Sequence, residues 1–159
     1  MSHDEGIKKV AELMDGANIG TLTTLDGTRL VSRPMGLQKL EFDGDLWFFT
    51  YKQSNKVAEI TKNPQVNVAF ENNNAWISIA GTAEVVDDKA KAKELWNVFL
   101  KAWFEDGLET EGLTLLKVSA DAAEYWDADS PKVVQLFGVA KAAITGERAE
   151  GGENKTVEL

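Results

Sequence analysis

The chain has 159 residues, 43% of them hydrophobic and 27% charged, with 17 Lys+Arg against 26 Asp+Glu and a formal net charge of −9. That length and apolar content predict one domain around one core, and no stretch reaches the ~18 consecutive apolar residues of a membrane span. The absence of cysteine excludes disulfides, thiolate nucleophiles and iron–sulfur clusters, and the single histidine, His3, is too little for a catalytic triad, a zinc centre or a haem site, so no metal is expected.

Ser2 and Glu5 have capping-box spacing, and Ile7, Val10, Ala11 and Met14 recur at i, i+3, i+4 and i+7, which predicts a helix stopped by Asp15-Gly16. From Ala17 the period becomes two, with Ile19, Thr21, Thr23 and Leu25 alternating, and Asp26-Gly27 signals a hairpin into a strand over 29–37. A second hairpin is expected from 40–42 through Asp43-Gly44-Asp45 into 46–51. Ser54 then opens a short helix carrying Val57, Ala58 and Ile60, ended by Asn63-Pro64.

Segments 65–70 and 75–81 alternate around Asn72-Asn73-Asn74, another hairpin, and 82–86 continues as strand after Gly81, which predicts a bulge or bend. Asp87 or Asp88 is expected to open the longest helix, running to about Phe104 with Ala92, Leu95, Trp96, Phe99 and Trp103 on one stripe. Two further strands are expected at 113–118 and 122–126. A helix from Ser130-Pro131 through Ile144 follows, then a polar tail or docking arm over 146–159. About seven short strands joined mainly by hairpins predict an antiparallel barrel of α+β class, a single domain over 1–145.

With Cys and His chemistry removed, carboxylates, Arg/Lys, hydroxyls or a bound cofactor must supply any reaction. The most informative stretch is 33–56. Pro34 cannot donate to a ladder, so the Ser32-Arg33-Pro34-Met35 strand is expected at an edge or bulge, free to turn Arg33 toward a ligand. The following Trp47-Phe48-Phe49-Thr50 strand leads into Ser54-Asn55-Lys56, where helix N–H groups, a hydroxyl and an ammonium converge into a phosphate cradle. Each residue also has a plainer use: Ser54 as a cap, Lys56 as a solvated charge, Arg33 as a guard against edge pairing. Their conjunction is what points to a phosphate.

The ordered segments TLTTLDGTRLVSRPMGLQ, FDGDLWFFTYKQSNKVAEITKNPQVNVAF, WISIAGTAEVVDD and LWNVFLKAWF resemble the general stress protein branch of the pyridoxamine 5'-phosphate oxidase-like, FMN-binding split-barrel superfamily. The resemblance implies a six- to seven-stranded antiparallel split β-barrel with flanking helices, forming a homodimer with flavin mononucleotide (FMN, with FAD as an alternative) at the subunit interface. It assigns Arg33 and Lys56 to the phosphate with Ser54 and Asn55 beside them, Pro34 and Met35 to the flavin, and Phe49 and Thr50 to the ring and ribityl chain. Trp103 or Trp126 would cover the ring from the partner chain; for Trp103, a place on the helix stripe favours core or dimer packing over ring stacking.

Gln38 stands where the oxidase branch often carries a basic residue. The C-terminal third has no histidine, and its only arginine is Arg148, so oxidation of pyridoxamine phosphate is not expected. Asp87-Asp88 and Asp127-Ala128-Asp129-Ser130 read as helix caps and receive no acid–base role. The reading is a flavin-binding, stress-type protein with oxidoreductase activity on an unidentified substrate. Its rivals are a cofactor-free dimeric interaction protein and a flavin storage or sensing module. The negative charge argues against nucleic acid as a partner. MSHDEGIKKV lacks the basic-then-apolar layout of a leader, which gives the cytoplasm as the expected location.

Overall fold

In the computed structural model, which describes residues 2–38, 41–127 and 153–158, seven strands form one antiparallel sheet. The elements in chain order are α1 (His3–Met14), β1 (Ile19–Asp26), β2 (Arg29–Gly36), β3 (Asp45–Tyr51), α2 (Asn55–Lys62), β4 (Gln65–Asn72), β5 (Ala75–Val86), α3 (Lys89–Leu95), β6 (Leu113–Asp127) and β7 (Glu153–Glu158). The sheet runs β2-β1-β4-β5-β6-β3, with β7 on β6, and curls into a half-barrel flanked by helices: an α+β split barrel. β2 and β3 end the path and do not pair with each other, so the barrel is open between them. No helix among the described residues is long and apolar enough to cross a membrane.

The capping box of α1 is complete: Ser2 Oγ accepts from the Glu5 N–H, and the Glu5 carboxylate accepts from the Ser2 N–H at 2.7 Å. Asp26 pairs with Arg29 across a turn in which Gly27 has φ +64°. The β4–β5 hairpin turns on Asn73 and Asn74, both at positive φ, as a tight hairpin turn requires. The adjoining Asn72 side-chain amide donates to the Leu13 and Asp15 carbonyls and ties the end of α1 to this hairpin.

Strand period two sends Phe48 and Phe49 to opposite faces of β3, and each enters a different core. Phe48 joins Leu22, Val68, Ile77, Ile79, Leu116 and Val118 inside the barrel, with α1 contributing Val10. Phe49 joins Leu95, Leu100, Phe104 and Leu115 in a smaller outer cluster.

Three expectations are corrected. Residues 41–42 are not strand; Phe42 is buried in the main core, Leu40 lies outside the described residues, and the partner of β3 is the distant β6. The long helix to Phe104 is broken: α3 has seven residues, Trp96 is extended, and Asn97 caps a separate 3-10 segment, Val98–Ala102, by accepting from the Phe99 N–H at 3.1 Å. The break divides the single stripe, so that Leu95, Leu100 and Phe104 are buried while Phe99 and Trp103 are 76% and 65% exposed. Segments 113–118 and 122–126 are one strand, β6, in register with β5 except for a shift at Ala80/Gly81.

That shift is the irregularity expected after Gly81, and a Cβ at Gly81 would overlap the Ser119 carbonyl oxygen. The predicted helix from Ser130 to Ile144 lies outside the described residues, whereas Glu153–Glu158 forms β7 against Ala122–Asp127 of β6. Gly81→Ala is expected to lower unfolding stability by about 1–3 kcal/mol, because a backbone atom has no rotamer by which to retreat; urea denaturation of the variant measures it, and an unchanged midpoint would refute the close approach.

Candidate functional site

The open seam between β2 and β3 holds a cavity of about 330 Å³, within the range of small-molecule sites. Pro34, Met35 and Gly36 reach it from the end of β2, and Phe49, Thr50 and Tyr51 from the end of β3. Lys56 comes from the first turn of α2, and Leu100, Trp103 and Phe104 come from the 3-10 segment and its exit. A second cavity of about 510 Å³ adjoins it, sharing Ile19, Gly36, Gln38, Leu100 and Trp103. Together they make one trough, apolar along most of its length.

Its polar end is built where β3 turns into α2. The half-buried Lys56 ammonium donates to Thr50 Oγ1 at 3.1 Å, and that hydroxyl shares a hydrogen bond with Ser54 Oγ at 3.3 Å. Ser54 occupies the N-cap position, but its side chain makes no cap bond to the helix; it faces Thr50 instead. The N-terminus of α2 therefore keeps N–H groups to offer an anion. Burial, and then the Arg33 charge, push the Lys56 ammonium below the usual lysine range, while Glu59 acts in the opposite sense. Among the described residues Lys56 has no carboxylate within ion-pair distance, whereas Lys52 and Lys91 each have one.

Arg33 is arranged differently. Its Nη1 donates to Thr24 Oγ1 at 2.7 Å and its Nη2 to Glu59 Oε2 at 2.9 Å, and the Thr24 hydroxyl donates to the same Glu59 oxygen. The two charged side chains are only 19% and 12% exposed. The guanidinium is thus fixed beside α2 with its charge balanced, and it straps the helix to β1 and β2.

Of the residues singled out in the sequence, Pro34, Met35, Phe49, Thr50, Lys56 and Trp103 line the cavity together, with Ser54 one hydrogen bond behind Thr50. Asn55 is the first residue of α2 and is exposed; Arg33 sits behind the wall in its ion pair. Trp126 lies elsewhere, paired across strands with Trp76, and lines neither part of the trough. Sequence reasoning missed Tyr51, whose hydroxyl donates to the Trp103 carbonyl at 2.8 Å and whose ring packs on Phe104 with centroids 5.0 Å apart. It also missed Thr24 and Glu59; the signal for Glu59 was its place one helical turn beyond Lys56.

An antiparallel barrel that fails to close, with a cation and a helix N-terminus at the foot of the gap, defines a protein of the split-barrel class. Residues 5–150 match the model of the family described as pyridoxamine 5'-phosphate oxidase like, and the chain belongs to that family. Its relatives place it in the general stress protein branch. It is 30% identical to Protein bli-3 of Neurospora crassa over 159 residues, covering 92% of this chain and 76% of that protein. The solved general stress FMN/FAD binding protein of Xanthomonas citri is 30% identical with a TM-score of 0.70, covering 80% of this chain and 92% of that one. General Stress Protein 26 of Bacillus anthracis str. Sterne is 26% identical with a TM-score of 0.67, covering 75% and 92% respectively.

The two charged groups on α2 should respond oppositely to removal. A lysine whose pKa is lowered by folding destabilises the fold while it is charged; the penalty is full below the lowered value and fades as pH rises from there to the ordinary lysine value. Lys56→Met is therefore expected to leave the melting temperature unchanged or raised at pH 7. Glu59→Ala, which strands Arg33 and Thr24, is expected to cost about 2 kcal/mol. Thermal unfolding of both variants checks the pair, and the reverse ranking would contradict the assignment.

Proposed function

We propose that the trough binds a flavin, FMN in the first instance, with its phosphate at Lys56 and the start of α2 and its ring along the apolar seam. The supporting observation is the half-buried Lys56, without a carboxylate at ion-pair distance among the described residues, at one end of a cavity otherwise walled by Pro34, Met35, Phe49 and Trp103. A flavin presents the same sequence of chemistries: a wide apolar ring, a polyol for hydroxyls such as Thr50, and a phosphate dianion. The Xanthomonas citri relative, described as FMN/FAD binding, supports the ligand class.

The bound ring would supply two-electron redox chemistry. The chain's own residues bind and orient: Lys56 and the α2 N–H groups neutralise the phosphate, Thr50 and Ser54 offer hydroxyls, and Phe49 and Trp103 exclude water. Arg33 supports the anion end from behind by fixing α2 against β1 and β2. We assign no side chain as a proton donor, and the reading is a flavin-dependent oxidoreductase with an unidentified substrate.

The working unit in this reading is a homodimer in the cytoplasm. Val98, Phe99 and Trp103 stand exposed beside the trough, and Leu30 is 71% exposed on β2, an edge strand with no neighbour on its outer side among the described residues. A second copy covering this apolar border would complete the ring side of the site. Sedimentation equilibrium should give twice the chain mass, and a monomer with and without flavin would remove the shared-site reading.

Purified protein supplied with FMN is expected to absorb near ~370 and ~450 nm. Lys56→Met should weaken FMN binding by about tenfold or more while leaving riboflavin, which has no phosphate, nearly unaffected. Trp103→Ala should also loosen the flavin, whereas Trp126→Ala should not. Fluorescence titration reads all three variants, and a native protein that takes up no FMN would overturn the proposal.

A further inference from the structure

The two cations at the seam act on one carboxylate. Glu59 Oε2 accepts from Arg33 Nη2 at 2.9 Å and from the Thr24 hydroxyl, and Thr24 Oγ1 in turn receives Arg33 Nη1 at 2.7 Å. Thr24 is buried, so three side chains from β1, β2 and α2 close a ring of hydrogen bonds against the barrel wall. Glu59 also lies one helical turn beyond Lys56 and favours its charged form, while Arg33 disfavours it; among the described residues these are the charged groups acting on Lys56. Each of the other ion pairs of the described residues, such as Arg29–Asp26 and Lys52–Asp87, has at least one exposed partner. Arg33–Glu59 is the pair with both side chains less than one-fifth exposed.

A carboxylate in this position does for the ligand-free site what a phosphate does for the bound one. It offsets the repulsion between two cations by supplying negative charge beside them. The same carboxylate repels an incoming phosphate, so the free site is stabilised and the bound site is opposed by one group. We propose that Glu59, held in place by Arg33 and Thr24, is an internal counter-anion that opposes the ligand's phosphate at Lys56 and the start of α2, making the site one that holds a phosphorylated ligand exchangeably. The identity of that ligand rests on the flavin reading; the competition itself does not.

Glu59→Gln tests this, because the amide keeps the shape and can still accept from Arg33 and Thr24 while the charge is lost. Measured by titration calorimetry and thermal unfolding with FMN, riboflavin and inorganic phosphate, the variant should be less stable than the native protein without ligand. It should bind FMN about tenfold more tightly at low ionic strength, with riboflavin affinity unchanged. Glu59→Asp keeps the charge in the fold but draws it back by one methylene, and should show an intermediate gain; it carries the test if the glutamine variant does not fold.

Equal or weaker FMN binding in the variants would overturn the proposal, as would a gain of the same size for riboflavin, since charge would then not be the cause. If no flavin binds either form, yet inorganic phosphate still raises the melting temperature of Glu59→Gln more than that of the native protein, the flavin reading falls and the counter-anion stands.

Discussion

The architecture depends on one long strand. β6 runs fifteen residues from Leu113 to Asp127 and carries β5 along one edge, while β3 and β7 take successive stretches of the other. A strand of that length in a twisting sheet cannot stay straight against its neighbour, and the register shift at Ala80/Gly81 is where the ladder yields. Because β3 reaches the sheet only through β6, and β2 only through β1, the two ends of the path face each other without pairing. The trough is that unpaired interval.

β3 illustrates how one strand serves both packing and site. Phe48 fills the barrel and Phe49 fills the outer cluster, so the strand is anchored from both faces. Its last residues can then present Thr50 and Tyr51 to the cavity without strain on the sheet. The outer cluster also sets the aromatic border: Phe49 meets the Trp96 ring edge-on at 5.6 Å, and Tyr51 holds the Trp103 backbone. Electrostatics at the same seam are local. A chain of net charge −9 concentrates two cations beside one carboxylate there, a local balance that the total does not reveal.

Much of the fold was legible because it is written in short-range signals. The α1 capping box, the Asp26-Gly27 and Asn-rich turns, and the irregularity at Gly81 depend on residues within a few positions of each other or on one backbone geometry. The failures share a different cause. Asp43-Gly44-Asp45 looked like a hairpin turn because a turn signal does not say which strands it joins, and β3 found its partner some seventy residues away. The helical stripe through Trp103 failed because one side chain, Asn97, found a backbone N–H to cap, and tertiary packing of Leu95, Leu100 and Phe104 rewarded the break.

The sequence by itself determined the chemistry this protein must do without, the antiparallel character of its sheet, and the short run from Arg33 to Lys56 where a phosphate-binding site was expected. Tertiary structure alone decided the division of labour within that run: Lys56 lines the cavity, while Arg33 is spent on Glu59 and Thr24 behind it. It also decided which tryptophan borders the trough, Trp103 and not Trp126. The reason is physical. Residue type and spacing fix local conformation and available charge, but which charges meet, and which aromatic faces a gap, is set by contacts between β1, β2 and α2 that are distant in sequence and exist only once the sheet has curled.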